Sequence, residues 1–164
     1  MKSYSKIKKQ IPRQSGFSLF EVLISMAVTS IGLFGLAGIQ AVGLQNNNSA
    51  YQRSQATVLA YDVADRMRAN TGAINNYLTS SMTLTYAKTL GAQAGCIGTS
   101  GCSATQMAQN DLYEWNESLT TALPGATGLI TLAGDIYTIS VTWDDNRDGV
   151  VNGDDPGFQV SFQP

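Results

Sequence analysis

An acidic stretch near the C-terminus, residues 144–155, has the residue spacing of a calcium-binding loop. Such a loop presents hard oxygen ligands at alternating positions and at its last position, with a glycine at the sixth for a sharp turn. The candidate ligands are Asp144, Asn146, Asp148, the Val150 carbonyl, Asn152 and Asp155. No cofactor is required by the sequence, and Ca²⁺ is the ion that this spacing favours. The alternative is a polar hairpin loop held by Asx turns.

Two cysteines, Cys96 and Cys102, flank a short stretch that contains glycine and serine. The chain has no histidine, so a Cys–His nucleophile lacks its base and a metal site lacks further soft ligands. The pair is therefore predicted to form a disulfide, provided that this part of the chain is exported. The absence of histidine, of a paired-acid motif and of a glycine-rich nucleotide motif predicts that the protein is not an enzyme.

The N-terminal part of the chain consists of a basic arm followed by a long apolar run. Residues 1–16 carry five basic and no acidic side chains, and residues 17–44 contain a single charge, Glu21. The run exceeds the roughly 20 residues that cross a bilayer, and the basic flank keeps the N-terminus in the cytoplasm. A carboxylate in lipid costs on the order of 3 kcal/mol, so an uncleaved anchor leaves Glu21 unexplained. Cleavage before Phe17 would create a positive α-amine, on the same chain or on a neighbouring copy, to pair with it.

The sequence Gly16-Phe17-Ser18-Leu19-Phe20-Glu21, after a basic leader, resembles the class III signal of type IV prepilins. The resemblance implies that a prepilin peptidase cleaves after Gly16 and methylates Phe17. It also implies that Glu21 pairs with the N-terminus of an adjacent subunit. The expected partners are other major and minor pilins, the inner-membrane pilus assembly platform and, before assembly, membrane lipid. The expected location is the inner membrane, with one span and a periplasmic head, and then the extracellular pilus.

No nucleic-acid partner is expected. Removal of the leader leaves 5 basic and 12 acidic residues, a net charge of −7, and an acidic exterior offers no electrostatic footprint for DNA or RNA.

The prepilin resemblance and the periodicity of the chain together predict four segments. They are a leader peptide over residues 1–16, a hydrophobic transmembrane or filament-core helix over 17–44, its amphipathic continuation over 45–70 and a globular head over 71–164. In the continuation, apolar residues recur at three- and four-residue steps, namely Ala56, Leu59, Ala60, Val63 and Met67. On its other side, Asp62 with Arg66 and Asp65 with Arg68 are spaced to pair across one turn.

In the head, Ser103 and Gln106 fit a capping box that starts a second helix. Alternating residues predict strands at 128–133, 137–143 and 158–162. The predicted fold class is α+β, and the resemblance implies a pilin-like architecture. One long N-terminal helix, with its first half in the membrane, packs against a head that has an antiparallel sheet and a second helix.

Residues 65–70 (Asp-Arg-Met-Arg-Ala-Asn) are similar to a segment of minor pilins of the PilV kind. Gly38 stands where many major pilins have a proline, which favours a minor subunit. The predicted function is a minor pilin that enters or primes type IV pili. The alternatives are a minor pseudopilin of type II secretion and a membrane-anchored periplasmic module that binds calcium.

Overall fold

The computed structural model describes residues 16–82, 91–97 and 101–164. Its helices are α1 (Leu19–Ala69), a 3-10 helix (Thr71–Tyr77), α2 (Ala94–Ile97) and α3 (Ala104–Ala122). Its strands are β1 (Thr79–Met82), β2 (Thr127–Ala133), β3 (Ile136–Thr142) and β4 (Gly157–Phe162). The leader predicted over residues 1–16 lies outside the described residues, except for Gly16.

The chain divides into two compact units, one that ends at Leu44 and one that runs from Gln45 to Pro164. Every residue from Phe17 to Leu44 is exposed, and α1 is long and apolar enough to cross a membrane. Because the Ser18 side chain accepts a hydrogen bond from the Glu21 amide at 3.2 Å, it caps the first turn. The helix therefore begins at Leu19 and not at the predicted Phe17.

The head contains a four-stranded antiparallel sheet in the order β1-β2-β3-β4. The predicted meander of the last three strands is confirmed, with Gly128 opposite Val141 and Val141 opposite Phe158. Strand β1 was not predicted. It pairs with β2 through Thr79 and Ile130, and its register shifts before Met82.

The core lies between the sheet and the two long helices. The predicted stripe of α1 is buried at Ala56, Ala60, Val63 and Met67, whereas Leu59 is half-buried. Helix α3 begins at the predicted capping box, with the Gln106 amide donating to the Ser103 hydroxyl. A hydrogen bond also joins α3 to α1: the indole of Trp115, which is fully buried, donates to the Leu59 carbonyl at 2.9 Å.

Strand β2 passes close under Trp115 because residue 128 is glycine. A Cβ built on Gly128 would lie 2.5 Å from the Trp115 ring and 3.0 Å from Leu119. Any larger side chain at this position would therefore push α3 away from the sheet.

Candidate processing and assembly sites

The predicted cleavage junction lies just before the first turn of α1. Gly16 and Phe17 are not helical, and Phe17 is 84% exposed. No heavy atom lies within 4 Å of a Cβ built on Gly16, so packing in the described residues does not require glycine there. Gly16 and Phe17 are therefore accessible and outside the helix, so a peptidase could reach the bond between them.

Glu21 faces a groove on the apolar part of α1 that Phe17, Ser25 and Thr29 also line. The hydroxyl of Ser25 donates to the Glu21 carbonyl at 2.7 Å, and that of Thr29 donates to the Ser25 carbonyl at 2.7 Å. These hydroxyls are therefore satisfied within the helix. The Glu21 carboxylate forms no ion pair with any described residue. A cation from another chain, or from the processed N-terminus, is what this carboxylate requires in an apolar setting.

A charge cluster in the head joins α1 to α3. The Arg66 guanidinium lies 3.0 Å from Asp62, 3.0 Å from Asp111 and 2.8 Å from Glu114. The predicted pair of Asp62 with Arg66 is thus confirmed, and so is that of Asp65 with Arg68 at 2.7 Å. Asp111 and Glu114 are 45 and 48 residues from Arg66 in sequence. Local spacing could not have identified them.

The cluster continues through Asp111 to the 3-10 helix. The Tyr77 hydroxyl, on a buried side chain, donates to Asp111. The Asn70 amide donates to the Tyr77 oxygen at 3.2 Å and to the Ala104 carbonyl at 2.8 Å. These bonds fix the end of α1 against the start of α3.

The pKa shifts agree with this arrangement. Burial alone would lower the pKa of Arg66, but its hydrogen bonds to Glu114 and Asp111 outweigh burial and hold the pKa above its usual value. The hydrogen bond from Arg66 lowers the pKa of Glu114, against a smaller opposing effect of burial. Burial and then the hydrogen bond to Asp111 raise the pKa of Tyr77. Arg66 and Glu114 are therefore charged and Tyr77 neutral at ordinary pH.

The predicted disulfide is present. Cys96 and Cys102 are bonded, with their Cα atoms 5.0 Å apart. The Gln93 amide beside this loop donates to the Asn110 side chain of α3 at 3.0 Å. The disulfide therefore links the short helix α2 to the residue just before the N-cap of α3.

The predicted calcium loop connects β3 to β4 and is held by hydrogen bonds from backbone amides to its own side chains. The carboxylate of Asp144 accepts from the amides of Asp148 at 3.1 Å and Gly149 at 2.9 Å. That of Asp155 accepts from the amides of Asp145 at 3.1 Å and Asn152 at 2.9 Å. The loop is therefore a series of closed turns.

The other candidate ligands take part in the same network. Asn146 accepts from the amide of Asp148, Asp148 from that of Val150, and Asn152 from that of Asp154. Each carboxylate oxygen keeps a further lone pair for a cation. Among the described residues, however, no three acidic or cysteine side chains come close enough to share a metal ion. Calcium binding stays a prediction, which requires the loop to close further around the ion.

The β3–β4 loop also contacts α1. Ser49 donates to the Asp145 carboxylate at 3.0 Å, and the Trp143 indole reaches the same carboxylate at 3.4 Å. One helical turn beyond Ser49, Gln52 is buried. These contacts place the loop against the first turns of α1 within the head, and sequence spacing gave no signal for them.

Two family models match the chain. The prokaryotic N-terminal methylation motif matches residues 11–37, and the family described as type IV pilin Tt1218 matches residues 38–113. The two matches adjoin and cover the cleavage junction, α1 and about half of α3. Together the two matches support a class III signal prepilin of the type IV pilin kind. No curated protein and no solved structure matches the chain significantly.

The family assignment defines the role of the sites at a coarse level. The chain is a pilin or pseudopilin, which is a structural class of protein, and its methylation motif implies processing by prepilin peptidase. The apolar first part of α1 fits membrane anchoring before assembly.

Proposed function

We propose that the protein is a minor pilin that enters or primes type IV pili. The observation that carries the proposal is the placement of Glu21, a carboxylate without an ion-pair partner among the described residues. It is the fifth residue after the cleavage junction and lies on an exposed apolar helix. In a filament, the methylated amine of a neighbouring subunit's Phe17 would neutralise it. The head then stands on the periplasmic side of the inner membrane until the subunit is extracted into the pilus.

The segment that resembles PilV-type minor pilins supports the finer proposal, because nearly all of it anchors the head to α1. Arg66 binds the carboxylates of α3, Met67 is fully buried, and Arg68 lies over the Phe162 ring with 4.5 Å to its centroid. Asn70 bonds to the start of α3. A segment with these contacts is expected wherever this particular head architecture is used.

The assay measures the chain in pili sheared from cells and in the cells themselves. Wild-type chain is expected in the sheared fraction as a small minority of the pilin. Glu21→Gln, which removes the charge and keeps the shape, should be cleaved normally and yet incorporate about tenfold less, a loss of roughly 1.4 kcal/mol. Ser25→Ala is the matched control one turn further along the groove. Since the Ser25 hydroxyl bonds only its own helix, this variant should incorporate like wild type.

Three outcomes decide the proposal. Equal incorporation of Glu21→Gln and wild type would remove the docking role. A chain that forms the bulk of the filament would be a major pilin. A chain missing from pili, whose deletion leaves pili intact and abolishes protein secretion, would be a pseudopilin.

A further inference from the structure

We propose that the outer edge of β4 pairs with an edge strand of a neighbouring pilin subunit. Strand β4 ends the sheet, and no described strand lies on its other side. An edge strand presents a row of unpaired backbone donors and acceptors, which is a template for a strand of another chain. The inference rests on the proposed function, since it takes the neighbour to be a filament subunit.

The β4 edge lacks the features that usually prevent such pairing. Proteins protect edge strands with charges, internal prolines, bulges or very short strands. Strand β4 pairs six consecutive residues with β3 in an unbroken register and contains no charge and no proline. Strand β1, at the opposite edge, is four residues long and has a register shift. Among the described strands, β4 is thus the longer and more regular of the two edges.

An apolar patch formed by Phe158, Val160 and Tyr61 lies beside the β4 edge. Phe158 and Val160 are only half-buried on the face that packs against α1. The Tyr61 ring of α1 lies 6.3 Å from that of Phe158, and Tyr61 is 48% exposed. Inward-pointing apolar side chains of an added strand would cover these three residues. The outward face at the same edge carries Gln159 and Ser161, which suit a solvated strand pair.

The charge of the chain favours another pilin as the partner. The mature chain carries a net −7, so contacts between acidic heads need neutral surfaces, and β4 is one. The geometry of the sheet agrees. In four antiparallel strands β1 and β4 run in opposite directions, so β1 of a neighbour with the same sheet in the same orientation would run antiparallel to β4. Its four residues would cover part of the longer β4 edge. Contacts of this head-to-tail kind build open assemblies such as filaments.

The test places a photo-crosslinking residue, p-benzoylphenylalanine, in the full-length protein in cells. Gln159 is the test position. Ser140 is the matched control, because it lies directly opposite Gln159 in register, on the same face but one strand inward. Illumination at position 159 should give a covalent adduct with a second pilin-family chain, identified by mass spectrometry. Position 140 should give little or none. No adduct at 159, equal adducts at both positions, or adducts only with proteins outside the pilin family would overturn the inference.

A pair of lysine variants gives a second measurement. Gln159→Lys puts a charge on the edge, and it should lower the amount of chain in sheared pili about tenfold at an unchanged cellular level. Ser140→Lys should remain at the wild-type amount, and equal amounts for the two variants would contradict the pairing. If the wild-type chain is itself missing from pili, the proposed function fails. The crosslink to a pilin-family chain in the membrane then decides the edge inference separately.

Discussion

Replacing Arg66 with methionine tests whether the charge cluster holds α1 and α3 together. The substitution keeps much of the side-chain volume, removes the ion pair of the buried Asp111 carboxylate and leaves the Tyr77 hydroxyl as its hydrogen-bond donor. A hydrogen bond to a charged group contributes about 1.5–3 kcal/mol. The pairs with Asp62 and Glu114, whose side chains are 43% and 44% exposed, add about 0.2–1 kcal/mol each. The Arg66 side chain is itself 31% exposed, so solvent weakens these interactions. We therefore expect the free energy of unfolding to fall by about 2–4 kcal/mol.

The assay is urea unfolding of the mature chain in a mild detergent, followed by tryptophan fluorescence. Both tryptophans, Trp115 and Trp143, are buried in the head, so their emission reports its unfolding. The control is Arg68→Met, two residues away on the same helix. Its pair with Asp65 is 43% and 72% exposed, and its guanidinium lies over the Phe162 ring, so a smaller loss of about 1–2 kcal/mol is expected. Equal losses for the two variants would show that the buried contact with α3 is not what stabilises the head.

Three further predictions concern the head. Gly128→Ala should cost about 1–3 kcal/mol, because its Cβ would meet the Trp115 ring, whereas Gly153→Ala, in open space, should unfold like wild type. The pKa of Glu114 is lower in the folded chain than its unfolded value of 4.5, so its carboxylate contributes its full stabilisation of the fold above pH 4.5. That stabilisation is lost as the pH falls through the folded pKa. The free energy of unfolding should thus fall on acidification, and less steeply in Glu114→Gln; parallel pH profiles would contradict this. Calcium should raise the melting temperature of wild type and not of Asp148→Ala, and an unchanged melting temperature up to about 10 mM would leave the loop a polar turn.

The parts of the fold that local pattern specifies could be predicted from the sequence. The capping box at Ser103, the stripe of α1 and the three C-terminal strands each depend on residues a few positions apart, and the structure confirms them. Strand β1 could not be predicted in this way. Its four residues have no marked alternation, and they form a strand because β2, nearly 50 residues later, offers an edge.

The same distinction applies to the sites. The sole two cysteines made the disulfide predictable, and the order of Gly16, Phe17 and Glu21 pointed to the family. The partners of Arg66 on α3 were missed because a side chain's long-range contacts leave no local spacing. The loop at 144–155 had the ligand order, but the sequence could not give the internal amide bonds that occupy its carboxylates.

The most direct test of the central claim is the mass of the N-terminal peptide of the protein isolated from membranes or pili. Processing as a class III prepilin predicts a chain that begins at Phe17 and carries one N-methyl group, with residues 1–16 absent. Gly16→Ala tests the same junction. No contact in the described residues requires glycine there, so any loss of cleavage must come from recognition by the peptidase. An N-terminus at Met1, or cleavage at the far side of the apolar run, would contradict the account.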